Sequence, residues 1–329
     1  MLLLTGATGQ VGSALLGRLL AEGTAVRCLV RDPRRLGARR VRVQIALGDL
    51  ADPRSFRNAM RGVDTVVHLA AAIRDQPRGS IEELGGIATW RMVQAAERAG
   101  VERFLFFSAL GASTHSRARF LRAKALAERA VHEAQLRSIV FSPSIVYAPG
   151  DRWLTLLERL ALLPAMPLPG RGRAVYQPIW AEDAADCVMG ALRASQGGAD
   201  TRAGAGDRHA GAGDRHAGAG DRHAGAGDRH AGVHDRYDLA GPQTLSHDQI
   251  VRLVLRSLNR RRPLVHVPSP IVSHALRLVE AAAGGRAFAT WDEAELLEVP
   301  MISARGATDA ERLGVKPQPM GAVLSPADR

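Results

Sequence analysis

The sequence predicts an α/β fold built around a doubly wound parallel sheet. Between residues 2 and 141, short apolar segments alternate with segments of helical periodicity, which is typical of a parallel sheet with helices on both faces. A glycine-rich turn follows the first apolar segment, and small or polar residues follow the others. Because ligands of such sheets bind beyond the carboxyl ends of the strands, these residues are the candidates for a binding site.

The two kinds of segment differ in length and composition. The strand-like segments are residues 2–4, 25–30, 41–46, 63–70, 103–107 and 138–141. The helical segments are residues 13–20, 54–61, 81–99 and 120–135. The strand-like segments are short and apolar, whereas the helical ones place their apolar residues on one face. His68 lies inside a strand-like segment, so we expect a core histidine rather than a catalytic one.

Gly6, Gly9 and Gly12 are spaced as in a phosphate-binding turn. They lie between residues 2–4 and residues 13–20, the strand and helix that such a turn requires. Glycine tolerates unusual backbone angles and lets a ligand approach the backbone, and the N–H groups at a helix start attract a pyrophosphate. The turn therefore predicts a dinucleotide site of the Rossmann type. A purely structural turn is the alternative.

The residues after the second strand-like segment bear on the choice of cofactor. In dinucleotide-binding folds this position lies beside the adenosine ribose, where an arginine meets the 2′-phosphate of NADP and an acidic residue meets the 2′-hydroxyl of NAD. Arg31 takes that place, with Arg34 and Arg35 close behind. We therefore expect NADP(H) to be favoured. Asp32 leaves NAD(H) open, since a small shift in alignment makes it the ribose acceptor.

Composition and charge exclude several classes of protein. Two cysteines in 329 residues do not form a disulfide framework, which favours a reducing, cytoplasmic compartment. The net charge is +11, but the arginines are scattered with few aromatic residues between them, so we expect a solvated surface and no nucleic-acid partner. No secretory signal and no uncharged stretch of the roughly 18 residues of a membrane span is found. A leucine-rich helix predicted over 153–163 leaves peripheral membrane contact open beside simple packing.

The chain divides into three regions. Residues 1–193 form the predicted dinucleotide-binding domain, of which residues 150–172 contribute to a small lobe. Residues 198–236 form a predicted disordered insert with four tandem copies of Ala-Gly-Ala-Gly-Asp-Arg-His, a unit that has two glycines and no large apolar side chain. The repeated histidines would bind a metal only if the segment folded back on itself, so no metal site is predicted. Residues 237–329, with a capping-box pattern at Ser246, form a small, mainly helical C-terminal lobe for a substrate or partner.

Five segments together resemble the atypical short-chain dehydrogenase/reductases. They are residues 5–12, 48–50, 66–71, 108–112 and 143–147. The last two look most like the branch related to the NADPH-binding accessory subunit of respiratory complex I. The resemblance covers nearly the whole chain except the repeat insert, and it implies a Rossmann domain that binds NAD(P) and serves oxidoreductase chemistry.

The resemblance also implies a role for each matching position. The pyrophosphate would be held by Gly6, Thr8, Gly9, Gln10, Val11 and Gly12, the 2′-phosphate by Arg31, the adenine by Asp49 and Leu50, and the nicotinamide-side ribose by Ala70 and Lys124. Ser108 and Lys124 match the family's catalytic serine and lysine. In that family the serine orients a carbonyl, and the lysine lowers the pKa of a tyrosine that donates the proton.

Phe120 stands where that tyrosine belongs. Phenylalanine keeps the ring and lacks the proton, and its spacing from Lys124 places both on one helix face. We therefore expect intact cofactor binding with weak catalysis, or a donor relocated to His115 or Ser116.

Two functions remain open at this point. The first is an NADP(H)-dependent reductase with weak or relocated chemistry on a small hydrophobic carbonyl or quinone-like substrate. The second is a non-catalytic NADPH-binding protein that stabilises an assembly or senses the redox state. Ser142, in place of the family's usual arginine before Pro143, is a further departure from the catalytic pattern.

Overall fold

The central element is a seven-stranded sheet in which every strand pairs in parallel with its neighbours. The computed structural model describes residues 1–203, 234–283 and 289–325. The strands are β1 (Leu2–Thr5), β2 (Val26–Val30), β3 (Gln44–Leu47), β4 (Thr65–His68), β5 (Arg103–Phe107), β6 (Arg137–Pro143), β7 (Val146–Tyr147), β8 (Met166–Pro169), β9 (Val175–Tyr176), β10 (Ile179–Trp180), β11 (His234–Leu239), β12 (Leu245–Ser246) and β13 (Leu264–Val267). The central sheet has the order β11-β6-β5-β4-β1-β2-β3.

Helices cover both faces of this sheet. The helices of the described residues are α1 (Gln10–Ala21), α2 (Arg54–Ala59), α3 (Ala88–Arg98), α4 (Arg119–His132), α5 (Arg152–Leu160), α6 (Ala181–Ala203), α7 (His247–Ser257), α8 (Ser269–Ala283), α9 (Trp291–Leu296), α10 (Thr308–Arg312) and α11 (Met320–Val323). Leu2 and Leu4 pack with α1 and α6 on one face, whereas Leu3 packs with α3 and α4 on the other. Because side chains alternate along a strand, an uninterrupted apolar run in β1 fills both layers. The predicted doubly wound α/β fold is confirmed.

Two predicted elements take a different local form. The segment Pro33–Arg42 is a 3₁₀ helix with a kink at Gly37, whose φ is 59°, so the strand expected from residue 41 begins at Gln44. The helix expected over 81–99 contains a π-helical turn, Glu83–Ile87, before α3. Sequence periodicity does not detect either change, because both depend on local hydrogen bonding and not on which residues are apolar.

The C-terminal lobe shares a core with the segment that follows β7. Leu154 and Leu157 of α5 lie in one buried cluster with Ile250 and Val254 of α7. The predicted capping box is present, since the Ser246 side chain accepts from the Gln249 backbone N–H and the Gln249 side chain reaches back. No helix among residues 1–203, 234–283 and 289–325 has the length and hydrophobicity needed to cross a membrane.

One strand that we assigned to this lobe belongs to the main sheet. Strand β11 pairs in parallel with β6, with Leu239 opposite Pro143, because β6 would otherwise leave its backbone groups unpaired at the sheet edge. The repeat insert, residues 204–233, lies outside the described residues. At its borders, α6 continues to Ala203 and β11 begins at His234, so residues 198–203 and 234–236 are helix and strand rather than the predicted disordered chain.

Candidate functional site

The glycine-rich loop between β1 and α1 packs tightly against neighbouring backbone. Gly6 has a φ of 74°, and a Cβ on it would lie 2.7 Å from the Ala70 backbone nitrogen. A Cβ on Gly12 would lie 2.1 Å from the Gly6 carbonyl oxygen. The loop, the first turn of α1 and the end of β4 therefore meet only because these side chains are absent.

The first turn of α1 is open to an anion. Gly9 is the residue before the helix and supplies no side-chain cap, so the N–H groups of Gln10, Val11 and Gly12 have no capping oxygen. The first turn contains no acidic residue, and Thr8, Gly9 and Gln10 are partly or fully exposed. A negatively charged group is stabilised at such a helix start. A pyrophosphate fits these residues.

A series of hydrogen bonds connects the segment after β4, which contacts the glycine-rich loop, to the buried side chains of Thr5, His68 and Thr89. The Ala70 N–H donates to Thr5 Oγ1 at 3.3 Å, and Thr5 Oγ1 lies 2.7 Å from His68 Nδ1. His68 Nε2 lies 3.1 Å from Thr89 Oγ1, whose hydroxyl donates to the Gly85 carbonyl at 2.6 Å. Because the Thr89 hydroxyl donates its hydrogen to the Gly85 carbonyl, His68 Nε2 must donate to Thr89 Oγ1, and Nδ1 then accepts from the Thr5 hydroxyl. Burial lowers the pKa of His68 to about 3, so the ring is neutral and serves as the core histidine that the sequence predicted.

Arg31 follows β2 and is exposed. The adjacent Asp32 carboxylate accepts from the Arg34 backbone N–H and from Arg34 Nε, each at 3.0 Å, and the Arg34 hydrogen bond lowers the pKa of Asp32. Arg39 reaches back from the 3₁₀ segment to donate to the Ser13 carbonyl at 2.6 Å. The region beside the first turn of α1 is therefore basic, and its acidic residue is already engaged.

Asp49 and Leu50 lie in the turn after β3. Asp49 Oδ1 accepts from the Ala51 N–H at 3.1 Å, and Oδ2 lies 3.7 Å from Arg78 Nη1. Leu50 packs against the core on the α3 and α4 face. A Cβ on Gly48 would collide with the Leu29 side chain at 2.5 Å, so the turn is held close to the end of β2.

Ser108, Phe120 and Lys124 meet at the end of β5. Lys124 Nζ donates to the Phe107 carbonyl, next to Ser108, at 2.5 Å, and it lies 5.6 Å from the centre of the Phe120 ring. The Ser108 N–H donates to the Phe141 carbonyl at 2.7 Å. The Ser108 hydroxyl is buried and has no hydrogen-bond partner within the described chain. A polar group in that state is available to a ligand or a water molecule.

The Lys124 amine is buried beside two aromatic rings. Its side chain is 3% exposed, and its Nζ lies 4.8 Å from the centre of the Phe106 ring. Burial lowers the pKa of Lys124 to about 7, against the opposing effect of nearby Glu128. Desolvation thus outweighs the attraction of the carboxylate.

The alternative donors named from the sequence hold the loop before α4. His115 is exposed, its N–H donates to Ser113 Oγ at 3.2 Å, and its ring lies beside Thr114. The Ser116 carbonyl accepts from Arg122 Nη1 at 2.8 Å. Among the hydrogen bonds of the described chain, none joins either side chain to the strand ends.

Sequence reasoning did not identify Arg119, which lies beside Phe120. Its guanidinium contacts Asp75 at 3.0 Å, Glu82 at 2.7 Å and Asp292 at 3.6 Å. These carboxylates come from the loop after β4, the segment before α3, and α9, so Arg119 ties the start of α4 to both lobes. No local pattern signals this, because each partner lies at least 37 residues from Arg119 in the sequence.

Two further buried hydroxyls near the strand ends were also not predicted. The side chains of Ser142 and Tyr147 are buried, and their hydroxyls have no partner within the described residues. Ser142 follows Phe141, whose carbonyl accepts from Ser108. The sequence drew attention to Ser142 only as a replacement for the family's usual arginine, and it did not predict an unpartnered hydroxyl there.

Fold and site together define a protein that binds a nicotinamide dinucleotide. Residues 6–150 match the family described as NAD(P)H-binding. This match is consistent with the predicted resemblance to the atypical short-chain dehydrogenase/reductases. Among the described residues, no group of three or more His, Cys, Asp or Glu side chains is placed to hold a metal.

Particular relatives include both a reductase and a subunit of an assembly. Ceramide reductase of Caulobacter vibrioides (strain NA1000 / CB15N) is 31% identical over 184 residues, which cover 55% of this chain and 57% of the relative. Subunit 9 of the mitochondrial NADH dehydrogenase (ubiquinone) 1 alpha subcomplex of Mus musculus is 29% identical over 200 residues, 57% of this chain and 52% of the relative. The chain spans about half the length of these curated relatives.

A solved structure supports the fold along nearly the whole chain. A nucleoside-diphosphate-sugar epimerase from Staphylococcus aureus superposes with a TM-score of 0.70 at 17% identity, covering 98% of this chain and 99% of that one. At this identity the likeness establishes the fold alone.

The glycine loop generates a first prediction. We expect Gly12→Ala to lower the free energy of unfolding by about 1–3 kcal/mol, since its Cβ overlaps the Gly6 carbonyl and overpacking costs this much. Gly17→Ala, on the same helix, is the control: its Cβ would meet only the flexible Arg39 side chain at 3.5 Å, and alanine is the better helix former. Urea unfolding of both variants measures the difference. Equal effects of the two substitutions would show that the close approach at Gly12 is not a constraint.

The buried Lys124 generates a second prediction. Because the pKa of Lys124 is about 7 in the folded protein, below the ordinary 10.5, the unfolded chain binds this proton more tightly between those pH values. Stability should therefore rise with pH, by about 2 kcal/mol from pH 7 to pH 9 for this group. Lys124→Met should remove this rise. The control is Lys316→Met at the exposed second lysine, which should retain it in urea titrations at both pH values. A wild type whose stability does not depend on Lys124 over this range would contradict the burial of a titrating amine.

Proposed function

We propose that the protein binds NADP(H) and is at most a slow reductase of small hydrophobic carbonyl or quinone-like compounds. The observation that carries this proposal is the pairing of Phe120 with Lys124, whose Nζ lies 5.6 Å from the phenyl ring. The groups suited to hold the cofactor are present, and the phenol that would complete proton transfer is absent.

The preference for NADP(H) is supported by the charges at the end of β2. Arg31 is exposed and lies next to Asp32, whose carboxylate is engaged by Arg34. An engaged carboxylate is a poor acceptor for a ribose 2′-hydroxyl, and an exposed arginine is a good donor to a 2′-phosphate. Arg39, held against Ser13, adds positive charge on the same side.

The expected chemistry follows from the groups at the end of β5. Bound NADPH supplies a hydride. The Ser108 hydroxyl, buried and without a partner in the described chain, would donate to a carbonyl oxygen and orient it. Lys124 would contact the nicotinamide-side ribose and hold positive charge near the reacting atoms. Without a tyrosine at position 120, protonation of the oxygen would depend on a weaker donor, so the step should be slow.

The hydrophobic substrate class is supported by the cluster around Phe120. This ring packs against a buried cluster that contains Leu110, Leu121 and Tyr147, so the surroundings of Phe120 are largely apolar. Sites for apolar ligands combine such surfaces with a few polar groups.

A non-catalytic role is the second candidate, and Phe120 itself favours it. A protein that only needs the bound cofactor for stability or redox sensing would retain the glycine loop and Lys124 and need no phenol. The relative in the mitochondrial NADH dehydrogenase complex, whose name describes a subunit, is compatible with such a role in an assembly.

The cofactor proposal predicts a selective effect of Arg31→Ala. We expect the NADPH dissociation constant to rise roughly 10- to 100-fold, since a charge-assisted contact is worth about 1.5–3 kcal/mol, while that for NADH stays unchanged. The quench of intrinsic fluorescence on titration gives both constants. Arg40→Ala, at an exposed arginine of the 3₁₀ segment that follows Arg31, should leave both constants unchanged. An unaltered NADPH affinity in Arg31→Ala would assign the phosphate contact elsewhere.

The chemistry predicts a gain of activity in Phe120→Tyr. A phenol beside Lys124 would have its pKa lowered by the neighbouring positive charge, and general acid–base catalysis typically contributes ~10²–10⁴-fold. Consumption of NADPH with a panel of aldehydes, ketones and quinones measures this, and Phe120→Leu, which removes the ring without adding a donor, is the matched control.

Other outcomes separate the two candidate functions. Fast wild-type turnover that is lost in His115→Ala or Ser116→Ala would contradict the proposal and establish a relocated donor. Tight NADPH binding with no turnover in either the wild type or Phe120→Tyr would favour the non-catalytic role.

A further inference from the structure

The C-terminal lobe exposes adjacent leucines beside a run of arginines. We call this surface the leucine–arginine patch; it consists of Leu162, Leu163, Val265, Arg260, Arg261 and Arg262. Leu162 is 62% exposed, Leu163 44% and Val265 47%. Single exposed aliphatic residues are ordinary. Two consecutive exposed leucines with a third aliphatic residue on the neighbouring chain segment are instead typical of an interaction surface.

Hydrogen bonds place the arginines next to the leucines. The carbonyl of Ala161, directly before Leu162, accepts from Arg260 Nη1 at 3.1 Å and from Arg262 Nε at 3.3 Å. These guanidinium groups lie at the carboxyl end of α5, where the helix dipole favours positive charge. These two hydrogen bonds hold the guanidinium groups beside Leu162.

The two chain segments then run side by side as paired strands. The Met166 N–H donates to the Pro263 carbonyl at 2.9 Å, and β8 and β13 pair in parallel with Val265 opposite Pro167. Leu264 packs toward the core of the lobe, so Val265, the next residue, points the other way. The exposed aliphatic side chains and the arginines thus lie on adjoining segments of the lobe.

Arg261 completes the positive charge of the patch. It is exposed, and within the described part of the chain it forms no hydrogen bond or ion pair. Arg159, in the last turn of α5, is exposed as well. The aliphatic residues are therefore bordered by cationic groups.

We propose that the leucine–arginine patch binds the surface of a membrane rich in anionic phospholipid. In this arrangement the aliphatic side chains enter the interface while guanidinium groups contact lipid phosphates. A nucleic acid would use the arginines and gain nothing from exposed leucines. Protein interfaces rely mostly on aromatic residues and arginine, with leucine under-represented. The combination of aliphatic and cationic groups is best matched by a lipid surface, and it does not depend on the function proposed for the dinucleotide site.

The test is sedimentation of the full chain with vesicles of phosphatidylcholine alone or with phosphatidylglycerol. We expect binding to the anionic vesicles that weakens with salt, and little binding to the neutral ones. Leu162→Ser/Leu163→Ser should lower the partition coefficient about tenfold or more, because two apolar side chains leave the interface. Arg261→Glu should lower it roughly fivefold or more, since basic residues each contribute to attraction by anionic lipid. The control is Ile87→Ser/Trp90→Ser, which alters two exposed apolar residues of the α3 region and should bind as the wild type does. Thermal unfolding of each variant verifies that its fold is retained.

Several results would overturn the proposal. One is absence of wild-type binding to anionic vesicles, and another is an equal loss in the Ile87 and Trp90 control. Loss in Arg261→Glu with no effect of the leucine substitutions would indicate a general anion surface, such as one for nucleic acid. Wild-type self-association that the leucine substitutions abolish, without vesicle binding, would identify a second copy of the chain as the occupant.

Discussion

The close approach of α1 to the loop after β1 is the constraint on which the candidate site depends. The Gly6 carbonyl lies where a Cβ of Gly12 would be, and the end of β4 lies where a Cβ of Gly6 would be. This contact directs the open first turn of α1 at the carboxyl edge of the sheet, where β2, β4 and β5 also end. The hydrogen bonds that connect the Ala70 N–H, the Thr5 hydroxyl and the His68 ring then hold that geometry. Without the glycines, the strand ends would remain adjacent, but the helix start could not serve a pyrophosphate.

At the carboxyl edge of the sheet, the residues suited to bind the cofactor are different from the residue at the proton-donor position of the resembling family. The loop and Arg31 use backbone N–H groups and an exposed guanidinium, which bind anions whether or not a reaction follows. In the function that we propose, proton donation would depend on one side chain of α4, at position 120, and there the chain has a hydrocarbon ring. A single oxygen atom therefore distinguishes the two candidate functions, and the remaining machinery is compatible with both. Arg119 holds the start of α4 to three carboxylates, so the position of residue 120 is fixed independently of its chemistry.

Local patterns in the sequence predicted what local physics determines. The apolar runs, the glycine spacing and the capping box at Ser246 each depend on residues within a few positions of one another, and the fold class followed from them. The placement of β11 beside β6 could not be predicted, because its pairing partner lies across the insert. The Arg119 cluster has the same cause, since Asp75, Glu82 and Asp292 approach only in the folded chain. The segment Pro33–Arg42 is predictable only in part. Pro33 and Gly37 indicate a break in regular structure after β2, but they do not indicate that β3 begins at Gln44. The candidate site residues were identified through the family resemblance. The structure adds that the Ser108 hydroxyl is buried without a partner in the described chain and that Lys124 is buried beside Phe120, which makes both residues worth testing.

The identity of residue 124 has a physical explanation in a chain that uses arginine almost throughout. Only two of its 44 basic residues are lysines, Lys124 and Lys316. At position 124 the side chain is enclosed by Phe106, Phe120 and the Phe107 carbonyl. Arginine stays protonated in any protein environment and presents a wide planar group with five donors, so in this enclosure it would keep an undersolvated charge and several unused N–H groups. Lysine ends in a compact amine, and here its pKa falls to about 7, so the group can lose its charge when no ligand offers oxygen atoms to it. Of arginine and lysine, only lysine tolerates both a desolvated and a ligand-bound state at this position, and that difference holds whether the bound cofactor is used for chemistry or only for binding.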